Sequence, residues 1–400
     1  MPTTPQWHPT GTVDRLESRS WVTPSLPVMG LMYWQFLQSG MSFGRSVRGR
    51  SESRCASAPS STHGTVWTVP YGNVTVLTTG VLGAEAMRIL LAGGGGFIGS
   101  HLADRLVARG DEVVVVDSFV TGRRSNVRHL EDSPGFQLVE HDIVDGLPAM
   151  GAFDVVANLA SPASPDDFAS LSIEILEAGS SGNGNLLNYA ADCGARFLLA
   201  STSEVYGDAL VHPQREDYHG NVDPTGPRGC YDEAKRFAEA MTAAYSRRKG
   251  VDARIARIFN TYGERMVPSD GRVVNSFVAQ ALRGDPLKVF GDGRQTRSFC
   301  HVSDQVAGLI ALLESDYDKP VNIGNPEEVT IADLARVVIE ATGSKSSVEH
   351  VDLPEKRAGD PERRCPDIGL AGSVLGWEPQ ISLREGVAAM ITYFRNHENF

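Results

Sequence analysis

Between Arg88 and Ile258, short apolar runs alternate with longer stretches in which apolar residues return every three or four positions. The short runs predict strands at 88–92, 112–116, 136–139, 153–159, 196–201 and 253–258. The periodic stretches predict amphipathic helices from Phe97 to Arg109, over 171–192 and over 230–248. Strand and helix in regular alternation imply an α/β fold with a doubly wound parallel sheet. After about Asn260 the rhythm breaks into shorter elements near Arg272–Arg283, Leu287–Phe290, Ser303–Glu314, Ile331–Thr342 and Leu383–Asn396. The pattern therefore divides the chain into a sheet domain at 87–260 and a smaller C-terminal lobe, mainly for substrate, at 261–400.

Residues 1–86 lack sustained periodicity. They are rich in Ser, Gly, Thr and Arg, with a basic run from Arg45 to Arg54. Their most apolar piece, Leu26 to Leu37, falls short of the about 20 residues that span a bilayer, and no signal-peptide order is present. Asp14, Glu17 and Glu52 argue against a transit peptide. Met87 stands immediately before the first strand. The expectation is a disordered extension, or upstream sequence translated from a wrongly chosen start.

Composition narrows the function classes. A net charge of −12 over 400 residues argues against a general nucleic-acid surface. Cys55, Cys193, Cys230, Cys300 and Cys365 are scattered and lack Cys-x-x-Cys pairing, which fits free thiols in a reducing, cytoplasmic compartment. His101, His141 and His301 are isolated in the sequence, and no His/Cys cluster has metal-ligand spacing, so no metal is expected.

Two local patterns carry chemistry. Gly93-Gly-Gly-Gly96-Phe97-Ile98-Gly99 sits between the first strand and the first helix, where glycines let backbone approach a pyrophosphate and the helix N-terminus stabilises its charge. This is a Rossmann-type dinucleotide site. Asp117 ends the second strand, eighteen residues past Gly99. A carboxylate there binds ribose hydroxyls and repels a 2′-phosphate, favouring NAD over NADP, although Arg123 and Arg124 follow closely. The second pattern is Tyr231-x-x-x-Lys235, two side chains on one helix face. An ammonium beside a phenol lowers its pKa and makes a base for a sugar hydroxyl. Thr202 offers a hydroxyl for the same oxygen.

Longer motifs then become specific. They are Ser161-Pro-Ala-Ser-Pro165, Ser201-Thr-Ser-Glu-Val-Tyr-Gly207, His212-Pro-Gln, Gly220-Asn-Val-Asp-Pro-Thr-Gly-Pro-Arg and Cys230-Tyr-Asp-Glu-Ala-Lys. Further on stand Arg257-Ile-Phe-Asn-Thr-Tyr-Gly, Asp270-Gly-Arg-Val-Val, Gly291-Asp-Gly-Arg-Gln-Thr-Arg-Ser-Phe and Asp360-Pro-Glu-Arg-Arg. From about 87 to 396 the chain resembles the extended short-chain dehydrogenase/reductases, and within them the UDP-glucuronic acid decarboxylase family. The resemblance implies Thr202, Tyr231 and Lys235 as the redox triad. It implies Glu204 and Arg364, with Ser203 beside them, as residues acting on the uronate. Asn260, Arg272 and Arg297 would hold the UDP part. Asp142, Ile143, Leu159 and Ala160 join the glycine segment and Asp117 in the NAD site. It also implies a homodimer joined by the helices at 171–192 and 230–248. The chain departs from the family pattern at Asn158, Gly179, His219, Glu264, Asn275-Ser276 and Cys365.

The implied reaction oxidises C4 of UDP-glucuronic acid, loses carbon dioxide from the resulting β-keto acid, and reduces the ketone to UDP-xylose. Rival readings remain. A nucleotide-sugar 4,6-dehydratase needs an acid where Ser203 stands. A 4-epimerase shares the triad without needing Glu204 or Arg364. A non-catalytic NAD-sensing protein commonly loses the Tyr or the Lys. For Arg364 a surface ion pair with Asp360 or Glu362 is the plain alternative.

Overall fold

Residues that alternate between two buried faces set the central sheet. The strands are β1 (Arg88–Ala92), β2 (Glu112–Asp117), β3 (Phe136–Glu140), β4 (Val155–Asn158), β5 (Arg196–Thr202), β6 (Ala253–Ile258) and β7 (Val321–Ile323). All pair in parallel, in the order β3-β2-β1-β4-β5-β6-β7. The computed structural model describes residues 86–268, 270–353, 360–361 and 363–397. The expectation for 1–86 thus lies outside the described residues, apart from Ala86, which precedes β1.

Ile89, Leu91, Val113 and Val115 face one layer, with Leu102 and Leu106 of α1 (Phe97–Arg109). Leu90, Ala92, Val114 and Val116 face the other, against Leu186 and Leu187. Burial on both faces is why these strands read as unbroken apolar runs. The second layer is built from α2 (Ser172–Glu177), α3 (Asn183–Cys193) and α4 (Gly229–Lys249). The helix expected over 171–192 contains one π-helical turn, Ala178–Gly182. Gly179 lies there against α4, and a Cβ on it would meet the Ala234 side chain and carbonyl oxygen at 2.8 Å.

The later elements are α5 (Val273–Arg283), α6 (Val302–Glu314), α7 (Ile331–Thr342), α8 (Gly369–Leu375) and α9 (Leu383–His397). α5, α7 and α9 enclose their own apolar cluster, with Phe277, Leu334, Met390 and Phe394 at its centre. β7 and α6 instead belong to the large sheet: β7 pairs with β6, and Leu309 and Leu312 of α6 join the cluster over β1 and β2. A small sheet places Thr296–Ser298 between Glu328–Thr330 and Arg363–Arg364. Among the described residues, no helix is long and apolar enough to cross a membrane.

Candidate active site

The sheet is parallel, so the loops after its strands gather at one edge, where ligands of such folds sit. The glycine segment leaves β1 there. Gly93 has φ +78°, and a Cβ on it would lie 2.6 Å from the backbone of Leu159 and Ala160. A Cβ on Gly99 would lie 2.1 Å from the Gly93 carbonyl oxygen. Only glycine permits these approaches. α1 starts at Gly96 with no side-chain cap and no acidic residue in its first turn, so its first amides face an anion site unopposed. Phe97 and Ile98 form that turn.

Asp117 closes the cradle. Its carboxylate accepts hydrogen bonds from Gly95 N at 2.8 Å and Phe119 N at 2.8 Å. Burial raises its pKa, and those two bonds oppose the rise. Asp142 caps a short turn by accepting from Val144 N at 2.9 Å, and Ile143 packs beneath it. Leu159 and Ala160 follow β4; Asn158 fixes their turn by accepting from Ala160 N at 3.1 Å while donating to Asn183 at 2.9 Å. Tight glycines, an open helix end and a carboxylate at the second strand together fit NAD.

Thr202 ends β5, where its hydroxyl accepts from Glu204 N at 3.2 Å, and it lies close enough to Tyr231 of α4 to lower the pKa of that phenol. Phe168 stacks on the Tyr231 ring, centroids 5.0 Å apart. The expected lysine effect on the phenol is not what the structure shows. Lys235 Nζ donates to the Ala200 carbonyl at 3.0 Å and lies 5.8 Å from the Tyr231 ring centroid. Burial therefore dominates both groups: Tyr231 is pushed up to about 12, with the nearby Thr202 hydroxyl opposing, and Lys235 is pulled down to about 8.

Immediately after Thr202, the chain turns and Glu204 enters a cluster of charges. Its carboxylate accepts from Arg228 at 2.5 Å and Arg364 at 3.0 Å. Burial alone would raise its pKa, but Arg364 and then Arg228 hold it well below the usual carboxylate range. Arg364 is 1% exposed, so the surface ion pair is excluded. Its Nη1 donates to the Ser203 carbonyl at 2.8 Å, while its buried Nε has no hydrogen-bond partner among the described residues. Asp360 pairs with Arg228 at 2.6 Å. Arg297 lies on the adjoining strand, and burial first, then Arg364, pulls it down to about 10. Arg272 precedes α5, 3.4 Å from Asp270, and its charge reaches Tyr231. Asn260 follows β6 and accepts from Cys300 N at 2.9 Å.

Two residues of this site were missed in the sequence. Arg228 bridges Glu204 and Asp360; its place three residues before Tyr231 was the available signal. Asp232 is buried, its Oδ1 has no hydrogen-bond partner among the described residues, and burial followed by Glu204 raises its pKa well above the usual range. Helical spacing joins Tyr231 to Lys235 and gives no sign of Asp232, one of the three residues between them. His101 and His301 are not isolated in space: His101 Nε2 lies 2.9 Å from the Glu264 carbonyl oxygen, and His301 Nε2 lies 3.4 Å from the Glu264 carboxylate.

A dinucleotide cradle beside a Thr-Tyr-Lys set on a β3-β2-β1-β4-β5-β6-β7 sheet defines an extended short-chain dehydrogenase/reductase. A family model described as GDP-mannose 4,6 dehydratase matches residues 90–390. UDP-glucuronic acid decarboxylase 1 of Arabidopsis thaliana is 51% identical over 79% of this chain and 71% of its own length. UDP-glucuronic acid decarboxylase 1 of Danio rerio is 51% identical over 78% and 73%. Among solved structures, UDP-glucose 4-epimerase of Thermotoga maritima with UDP-glucose superposes with TM-score 0.71 at 29% identity, over 78% of this chain and 99% of that one. A UDP-glucuronic acid 4-epimerase mutant of Bacillus cereus, in complex with UDP-4-deoxy-4-fluoro-glucuronic acid and NAD, does so with TM-score 0.69 at 28% identity, over 78% and 99%. The chain belongs to the UDP-glucuronic acid decarboxylase family.

Proposed function

We propose that this chain converts UDP-glucuronic acid to UDP-xylose with bound NAD. The carrying observation is the closeness of two sets: Thr202 lies beside Tyr231, and two residues after Thr202 Glu204 is gripped by Arg364 and Arg228. Sugar-oxygen chemistry and carboxylate chemistry thus share one site.

Gly93, Gly96, Phe97, Ile98, Gly99 and Asp117 would hold NAD, together with Asp142, Ile143, Leu159, Ala160, Tyr231 and Lys235. Bound there, NAD would supply an acceptor for the C4 hydride and the means of its return. Tyr231 takes the C4 hydroxyl proton while Thr202 holds the same oxygen, a role that requires the phenol, raised by burial, to be brought down when NAD and substrate bind. The C4 ketone lies β to the C6 carboxylate, so loss of carbon dioxide leaves an enolate, which takes a proton at C5 to become the 4-ketone that is then reduced to UDP-xylose. The hydroxyls of Tyr231 and Thr202 stabilise that oxygen as charge develops. Glu204 is ionised at neutral pH and therefore serves as an anion and acceptor rather than an acid. Arg228, Arg297 and Arg364 face Glu204, Asp360 and Asp232, and burial and Glu204 hold the Asp232 carboxyl back from ionising, which leaves a positive balance for the uronate. Ser203 places its carbonyl on Arg364, and Asn260, Arg272 and Arg297 take the UDP part.

The sheet with β7 and α6 forms the NAD part of the molecule, and the remainder after 260 mainly the sugar-nucleotide part. A homodimer through α2, the π turn, α3 and α4 is supported by Ile173, Leu176 and Phe237, large apolar side chains exposed on α2 and α4. A reducing, cytoplasmic setting is supported by Cys193, Cys230, Cys300 and Cys365, which are free thiols.

Incubation with UDP-glucuronate, followed by trapping of carbon dioxide and separation of nucleotide sugars, tests the reading. Carbon dioxide with a UDP-pentose is expected. A UDP-hexuronate epimer without carbon dioxide would overturn it in favour of a 4-epimerase.

A further inference from the structure

Beside the charge cluster, but apart from its charges, the fold brings together three residues that are far apart in sequence. His212 lies in the loop after β5, Glu328 begins the edge strand Glu328–Thr330, and Cys365 follows Arg363–Arg364. One ligand atom from each lies within 4.8 Å of the others. His212 Nε2 is 2.9 Å from Glu328 Oε2, and Cys365 Sγ is 3.3 Å from the Pro326 carbonyl oxygen. The backbone fixes this arrangement. Gln214 N donates to the Cys365 carbonyl, and the Gln214 side chain accepts from Cys365 N, both at 2.8 Å.

We propose that His212, Glu328 and Cys365 form a binding site for a divalent cation of the zinc class. Imidazole, carboxylate and thiolate are the three donor types that zinc takes, with bonds of about 2.0–2.3 Å and ligand atoms therefore about 3.3–3.8 Å apart. The cluster needs only a contraction of about 1 Å at its widest and a slight opening of the His212–Glu328 contact. Three protein ligands leave the fourth position to water or the Pro326 carbonyl.

The surroundings favour this. Glu328 is the only partner of the His212 ring, since His212 Nδ1 is buried with no hydrogen-bond partner among the described residues. Thr296 Oγ1 donates to Glu328 Oε1 at 2.6 Å, leaving Oε2 for the metal and orienting the carboxylate from behind. The competing cation is Arg363, 3.4 Å from Oε2; its side chain is 56% exposed and can swing into solvent. Binding releases the Cys365 thiol proton to solvent and changes no oxidation state. The residue before Cys365 is Arg364, so an occupied site clamps the strand that presents Arg364 to Glu204.

The inference is independent of the reaction proposed above. The full chain, treated with chelator and titrated with Co2+, is expected to develop a thiolate-to-cobalt charge-transfer band that saturates at one metal per chain and is displaced by Zn2+. Cys365→Ser should abolish the band and Cys193→Ser should leave it unchanged. Absence of the band in folded protein, or its survival in Cys365→Ser, overturns the proposal. Should Cys365→Ser fail to fold, His212→Gln replaces it, with a marked loss of cobalt affinity expected and unchanged affinity overturning the assignment.

Discussion

The NAD cradle and the charge cluster after Thr202 lie at the same edge of one sheet and are built in opposite ways. The cradle is backbone: glycines, helix amides and one carboxylate, drawn from a span of twenty-five residues, Gly93 to Asp117. The cluster is side chains: Glu204, Arg228, Arg297, Asp360 and Arg364, drawn from four separate segments. A backbone site tolerates almost no added atom, because nothing can rotate away. A charge cluster tolerates changes of shape, because long side chains can adjust, but it does not tolerate loss of balance, because an unpaired buried charge is costly.

Substitutions can break or sharpen that contrast. The largest effect belongs where the two regions meet. Tyr231→Phe keeps the ring stacked on Phe168 and removes the base, so turnover should fall by about 10² or more with the fold intact; near-normal turnover would remove Tyr231 from the chemistry. In the cluster, Arg364→Lys keeps the charge and loses the planar fork. Loss of a charge-assisted hydrogen bond costs roughly 1.5–3 kcal/mol, or about 10- to 150-fold in affinity. Calorimetry should show this weakening for UDP-glucuronate and much less for UDP-glucose; equal weakening would show that Arg364 does not read the carboxylate.

In the cradle, Gly99→Ala places a methyl group on the Gly93 carbonyl. Such a close contact should cost about 2–4 kcal/mol, in the range of strained substitutions, and should release NAD on gel filtration. Unchanged retention of NAD would mean that the loop can move.

The acid limb of stability probes the balance of the cluster. The folded pKa of Glu204 lies below its unfolded value of 4.5, so its contribution is complete above that pH and lost as pH falls towards the folded value. Asp232 has the opposite sign. Its folded pKa lies above the unfolded 3.8, so its burial destabilises progressively as pH rises through that value. Asp232→Asn should therefore raise the melting temperature by a few degrees at pH 7 and have little effect near pH 4. A melting temperature unaffected at both pH values would place Asp232 in contact with solvent.

The smallest effect on chemistry concerns assembly. Phe237→Glu puts a charge on an exposed apolar position of α4, and light scattering should report a shift from dimer to monomer. A persistent dimer would locate the interface elsewhere.

The same contrast explains what was legible in the sequence. The sheet from β1 to β6 and the cradle depend on local order: apolar runs, a glycine spacing, a carboxylate at a strand end. They were readable because each element carries its own signal. Thr202, Tyr231 and Lys235 were readable for the same reason, but the direction of the lysine was not. Its bond goes to the Ala200 carbonyl of the neighbouring strand, which helical spacing cannot reveal. Arg228 and Asp232 lay inside a recognised motif, yet their partners Asp360 and Glu204 come from distant segments. β7 is three residues long, too short for a periodic signal, and its place at the sheet edge follows from pairing with β6. The π turn at Ala178–Gly182 likewise leaves no mark in hydrophobic spacing.

The seventh strand has a consequence for dissecting the chain. A protein ended after Asn260 would lose both the hydrogen-bonding neighbour of β6 and the helix that covers Leu91 and Val115. It would then present an open strand edge beside bare aliphatic surface, the combination that recruits further copies edge to edge. Such a fragment should precipitate or form oligomeric β-assemblies. A fragment intended to hold the dinucleotide in isolation must therefore carry the segment through Ile323, even though that segment contributes no residue to the glycine cradle.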